Sequence, residues 1–402
     1  MTSPREVLIL GAGFGGLASA NMLRKYLHPE ECQITVIDKK QYFMMGLVNL
    51  WILSGSRKLG NSQAALSRLE EKGIRFMNDE IIGIYPSENC IATATKQNKL
   101  EYDYLVVALG AELAPKLIDG FEDNESCFNV YDAHRVPNLR ERILSLKNGH
   151  IVICIADIPY KCPPAPYEIS FLINDIVVKN GTRNSIELDI YGPTPIALPA
   201  AGPNISRFIV NLLNDSHINF HPLHKLKKVL SDKKTVEFEN GNKTGYDLLI
   251  VIPPHKVPQV IKYSDLLGDG DAHWIDVDRF TLRTKYKNVF AIGDVTEIRL
   301  GNGMTIPKAG IFAEGEAKVV SRQIIEEIKN NKNNDSSGKN AYSSKFDGKG
   351  FCFMEVGNQK AGYLDADLYN AGSPAIRLDP PSDELYLRKL DFERSRLNEW
   401  LI

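Results

Sequence analysis

The string Gly11-Ala12-Gly13-Phe14-Gly15-Gly16 constrains this chain more than any other feature, because of what stands on either side of it. Residues 7–10 (Val-Leu-Ile-Leu) are an apolar run suited to a buried strand. Residues 17–27 carry helical periodicity, and residues 34–37 (Ile-Thr-Val-Ile) read as a second strand ending in Asp38. A glycine motif alone recurs by chance, but strand, glycine turn, helix and acid-tipped strand together predict the first unit of a doubly wound α/β fold that binds a dinucleotide. Gly11 permits the tight turn, Gly13 lets backbone approach a pyrophosphate, and Gly16 lets helix pack on strand. Asp38 is placed for a ribose hydroxyl. Phe14, Gly15, Lys39 and Ile81 are counted with it as cofactor contacts.

Two later segments extend the pattern. Residues 104–111 form a buried strand ending in Ala108-Leu109-Gly110, and residues 288–294 form another ending in Gly293-Asp294. The interval between them has room for a second Rossmann-like unit, in which residues 151–156 read as a strand and 169–178 as the following helix. The turn between these two is Tyr160-Lys161-Cys162-Pro163-Pro164-Ala165-Pro166-Tyr167-Glu168, without a glycine. The next strand, 186–190, ends in Tyr191-Gly192-Pro193 with no acid placed for a ribose, unless the strand is longer and brings in Glu187 or Asp189. Both features argue against nicotinamide dinucleotide as the electron donor. The expected division is 1–112 with 272–330 for the first dinucleotide, 113–271 for the second unit, 331–350 as linker, and 351–402 as a C-terminal segment.

A chain of 402 residues, 43% apolar and 24% charged with a net charge of −2, fits a soluble protein of several packed units. No basic field exists to gather nucleic acid. The glycine-loop strand begins almost at once, which leaves no room for a signal peptide, and no apolar run reaches the roughly 20 residues of a membrane span. These points imply a cytoplasmic protein. Its cysteines (Cys32, Cys90, Cys127, Cys154, Cys162, Cys352) show no C-x-x-C, so zinc, iron–sulfur clusters and covalent haem are not expected, and any disulfide in a reducing compartment is catalytic rather than structural.

The three motifs in this order resemble the two-dinucleotide flavoproteins, which implies FAD. More narrowly, Cys162-Pro163-Pro164-Ala165-Pro166-Tyr167-Glu168 resembles a signature of sulfide:quinone oxidoreductases and of the flavoprotein subunit of flavocytochrome c sulfide dehydrogenase. The likeness continues through Asp294-Val295-Thr296, Pro307-Lys308-Ala309-Gly310 and Phe351-Cys352-Phe353-Met354-Glu355-Val356-Gly357. The resemblance implies a redox disulfide between Cys162 and Cys352 beside the flavin, and attack by hydrosulfide on it is sound exchange chemistry. Glu168 is then the acid/base near the sulfurs, and Lys308, with Ala309 and Gly310, stabilises charge on the reduced flavin. Cys127 is a candidate third member of the sulfur relay and His134 a proton shuttle. The loop Tyr42-Phe43-Met44-Met45 lacks the cysteine through which the flavocytochrome subunit anchors FAD.

The leading expectation is oxidation of sulfide or another small sulfur species, with quinone as acceptor. Cytochrome c as acceptor, a type II NADH:quinone dehydrogenase, and a redox sensor without turnover stay open. Residues 329–350 are expected to form a mobile connection too polar to pack. Leu385, Leu387, Leu390, Leu397, Trp400 and Leu401 recur at helical spacing among Arg388, Lys389, Arg394 and Arg396. That helix suits a membrane surface, the protein's own core or another subunit, and a homo-oligomer is expected.

Overall fold

A computed structural model describes residues 3–267, 273–332, 344–370 and 374–402. Two five-stranded parallel sheets organise it. The first has the order Val289–Ala291, Tyr104–Val107, Arg5–Leu10, Cys32–Asp38, Arg75–Asn78. The second runs Cys127–Asn129, Leu248–Ile252, Gly149–Ile155, Ile186–Tyr191, Asn219–His221. Their central strands are apolar on both faces, as parallel strands covered by helices must be: Val7, Ile9, Leu10 and Leu248 to Ile252 are all buried. The expected α/β architecture of two Rossmann-like units is what these sheets display.

Helix Phe14–Tyr26 follows the glycine turn and packs against the long helix Gly310–Lys332. Gly15 makes room beside it for the Ile292 side chain, from which a Cβ there would stand 2.8 Å.

The C-terminal unit is a three-stranded antiparallel meander, Lys349–Glu355, Ala361–Asp367 and Ala375–Ser382, followed by helix Asp383–Leu401. Ser382 caps this helix by accepting from Leu385 N, and Asp383 and Glu384 complement the dipole of its first turn. The helix lies on the protein's own core. Trp400 is buried and meets Phe14 edge-on at 5.3 Å, while Arg396 pairs with Glu314. Most of its apolar stripe is therefore spent internally, with Leu387 left exposed. Among the described residues no helix is long and apolar enough to cross a membrane.

The polar connection also differs from expectation at both ends. Residues 329–332 continue the long helix, and Phe346 is buried against Tyr369, with its N–H donated to Phe280 O. Phe346 anchors this end of a mostly polar stretch. Residues 333–343 of the expected connection lie outside the described residues.

Candidate active site at the two-cysteine turn

The glycine loop is shaped for a phosphate. Gly11 has φ +98°, and a Cβ on it would lie 2.5 Å from Ala108 O; one on Gly16 would lie 1.8 Å from Gly11 O. Gly13, by contrast, faces open space, with nothing within 4 Å of its missing Cβ. Helix Phe14–Tyr26 has neither a capping side chain nor an acid in its first turn, so its N–H groups remain available to an anion. Asp38 closes the loop by accepting from Ala12 N at 2.7 Å and Lys40 N at 2.8 Å. Ala108 N donates to Leu10 O, bringing Ala108-Leu109-Gly110 across the mouth of the turn, and Gly110 has φ +67°. Gly310 admits the Phe14 ring, which a Cβ would meet at 2.7 Å. The residues fit a dinucleotide. Lys39 is exposed and pairs with Glu80, and the Ile81 side chain is in the core, so neither side chain closes the cleft.

The glycine-free turn is built by its own cysteine. Cys162 takes φ +53°, a left-handed conformation unusual for a residue with a side chain. Its N–H donates to Lys308 O at 2.8 Å and its carbonyl accepts from Ala165 N at 2.9 Å, which starts helix Ala165–Lys179. From this turn the thiol meets Cys352, carried by the first strand of the meander. Both stand as free thiols. The hydrogen bond to Cys352, then burial, then the charges of Cys352 and Glu168 push the Cys162 thiol well above its ordinary range.

Behind the thiols lies a dry ionic triad. Glu168 Oε1 accepts from Lys389 Nζ at 2.8 Å and from Glu355 N at 2.8 Å; Lys389 Nζ also reaches Glu355 Oε2 at 2.9 Å. Trp51 Nε1 donates to the same Glu355 oxygen at 3.2 Å. The side chains of Glu168, Lys389 and Glu355 are only 2%, 2% and 4% exposed. Burial raises the Glu168 pKa, and the nearby Lys389 ammonium offsets only part of it. For Lys389 burial acts downward, but the two carboxylates outweigh it and the net shift is upward. The triad ties the Cys162 helix, the Cys352 strand and the C-terminal helix together. Lys389 and Glu355 escaped the sequence reading. The available signal was spacing: Leu385, Lys389 and Glu393 are all buried at intervals of four on the stripe that ends in Trp400.

Lys308 does not point a free charge at a cofactor. Its Nζ donates to the carbonyls of Asp294 at 2.7 Å and Thr296 at 3.1 Å and lies 3.4 Å from the centre of the Trp274 ring. Burial lowers its pKa to about 8 against the pull of Asp294. Asp294 is itself raised by burial, opposed by Lys161 and Lys308. Lys308 is thus a clamp on the Gly293–Asp294 turn, which Glu316 holds from the other side by accepting Gly293 N at 2.6 Å.

Cys127 lies elsewhere. It is wholly buried in the second sheet, 3.1 Å from Tyr246 OH, and packs with Val152 and Cys154. The offset that kept it on one strand face placed that face in the core. His134 is an exposed residue whose N–H bonds Asp132, and helix Val136–Ser145 begins after it. Asp189 sits inside its strand and accepts from Asn219 at 2.7 Å rather than standing at the strand's end for a ribose.

A family model described as pyridine nucleotide-disulphide oxidoreductase matches residues 5–154 and 187–317. The chain belongs to that family. Among its pyridine nucleotide-disulphide oxidoreductase relatives are the mitochondrial sulfide:quinone oxidoreductases of Dictyostelium discoideum, 31% identical over 306 residues, and of Mus musculus, 27% over 305. Each alignment covers 73% of this chain and 66% of the relative, so the likeness spans just under two thirds of those proteins. The solved sulfide:quinone oxidoreductase of Aquifex aeolicus superposes with a TM-score of 0.81 at 23% identity, covering 99% of this chain and 92% of that one. At that identity the likeness establishes the fold.

Proposed function

We propose that this protein is an FAD-dependent oxidoreductase that oxidises sulfide, or a closely related small sulfur species, through Cys162 and Cys352 and delivers the electrons to a quinone. The observation that carries this reading is the meeting of these two thiols, from different sheets, beside the Lys308–Gly310 segment that borders the dinucleotide loop. The names of the relatives supply the substrate and acceptor classes.

FAD bound along Gly11–Gly16, Asp38, Ala108–Gly110 and Gly293–Asp294 supplies a two-electron acceptor. The chain's own contribution is the sulfur chemistry. With the pair oxidised, hydrosulfide attacks one sulfur, a persulfide forms there, and the S–S bond breaks to leave a thiolate on the partner. On Cys162 the Cys352 hydrogen bond, burial and the Glu168 charge all favour the protonated thiol, so a thiolate there passes its electrons on in competition with proton uptake. Glu168, one turn into the helix, and the Lys389 ammonium hold a proton inventory directly behind the sulfurs. The second sheet supplies no glycine loop for a nicotinamide dinucleotide, which argues against NADH as the donor.

The experiment is anaerobic mixing. Sulfide is expected to bleach the flavin absorbance within turnover time and NADH to leave it oxidised; the reverse pattern would discard the reading.

A further inference from the structure

We infer that the second sheet carries a divalent-cation site formed by His150, Glu187 and Asp189, suited to a first-row ion such as Zn²⁺ or Co²⁺. His150 stands opposite Glu187 in the parallel ladder, and Asp189 follows two residues later on the same strand. Strand alternation therefore puts all three side chains on one face. One donor atom from each lies within 4.8 Å of the others, and His150 Nε2 is 3.1 Å from Asp189 Oδ2. Bonds of about 2.0–2.2 Å to a tetrahedral ion space its ligands about 3–4 Å apart, so small side-chain adjustments close the site.

The surroundings orient the donors. Asn219 Nδ2 occupies Asp189 Oδ1 at 2.7 Å and thereby turns Oδ2 toward the imidazole. The His150 ring also bonds the Gly245 backbone, the kind of outer contact that fixes which nitrogen is free to ligate. Tyr191 OH donates to the same Asp189 Oδ2 at 3.3 Å, and His221 Nε2 lies 3.2 Å from it. The His221 ring is held by stacking on Tyr191, 4.3 Å between centres.

The donor chemistry selects the ion. Imidazole with two carboxylates and no thiolate suits Zn²⁺, Co²⁺ or Ni²⁺ better than Mg²⁺ or Ca²⁺, which take oxygen alone. The ligands come from two adjacent strands, His150 lying 37 positions before Glu187, and include no cysteine, so cysteine spacing could not reveal them. An ion here would join strands Gly149–Ile155 and Ile186–Tyr191 as a stabilising site without redox work.

The test uses FAD-loaded protein stripped of metal and titrated with Co²⁺. One equivalent is expected to bind with ligand-field bands and no thiolate-to-cobalt charge-transfer band. Glu187→Gln, at an exposed position that the fold tolerates, and His150→Gln should each weaken uptake by about tenfold or more, and Cys162→Ser should leave it unchanged. Zn²⁺ should raise the thermal midpoint of the native protein but not of Glu187→Gln. No uptake at sub-millimolar Co²⁺, uptake carrying the thiolate band, or equal affinity in Glu187→Gln would each overturn the proposal; should His150→Gln fail to fold, Glu187→Gln decides.

Discussion

The Cys162 N–H donates to the Lys308 carbonyl at 2.8 Å, so the reactive turn of the second sheet is fastened to the segment that opens the long helix of the first. The same lysine's ammonium is engaged by Asp294 and Thr296. Backbone and side chain of one residue thus align the thiol turn with the Gly293–Asp294 turn. Lys308→Met keeps the carbonyl but loses the clamp. It is expected to weaken FAD retention, read as faster flavin loss on dilution, while the accessible thiol count stays the same.

Thiol reactivity should report the environment of Cys162. Its pKa is raised, with the Cys352 hydrogen bond as the first cause and burial as the second, so little thiolate exists at pH 7. Alkylation of Cys162 in the reduced protein by iodoacetamide should be slow at neutral pH and accelerate only at a pH more alkaline than an ordinary thiol requires. Cys352→Ser should shift that profile toward lower pH. Cys162→Ser should reduce sulfide-dependent flavin bleaching by at least about a hundredfold.

Removing Lys389 leaves two carboxylates in a dry site without their cation. Lys389→Met is expected to cost about 3–5 kcal/mol of stability, measured by denaturant titration. Pairing it with Glu168→Gln should recover part of that loss, because the uncompensated charge goes with the lysine. Equal destabilisation in the single and double variants would contradict the ionic account.

Glu316 gives a pH signature. Burial lifts its pKa to about 8 from an ordinary 4.5, so the folded state holds its proton where the unfolded chain has released it. The folded form then binds more protons between these values. This contribution is full below pH 4.5 and lost as pH rises through about 8. Glu316→Gln should flatten the decline in stability across that window, with unchanged slope below it.

Gly16→Ala is expected to abolish FAD binding. The added Cβ would lie 1.8 Å from Gly11 O, a backbone atom that cannot yield without opening the phosphate loop. Recombinant variant protein should be colourless, and normal flavin content would refute the packing argument.

What could be read from the chain divides by the range of the interaction. Glycine turn, flanking strands and Asp38 are set by neighbours in sequence, so their pattern foretold both sheet and cradle. The convergence of Cys162 and Cys352 is non-local and came only through family resemblance. Lys389 was hidden because a lysine among arginines on a helix suggests solvent, and only its place on the apolar stripe betrays burial. Lys308 was recognised as important, yet which atoms it serves depends on carbonyls fourteen and twelve residues earlier. Cys127 shows the opposite failure: strand parity was right, but parity does not say which face holds the core.

Cys352 lies 190 positions after Cys162 and reaches it on a strand of the last-made sheet. During synthesis, the nascent chain therefore completes its glycine-loop sheet and second sheet before this thiol pair exists. A ribosome-bound intermediate carries Cys162 before Cys352 has been made, so the two thiols can meet only after the scaffold that holds them is in place.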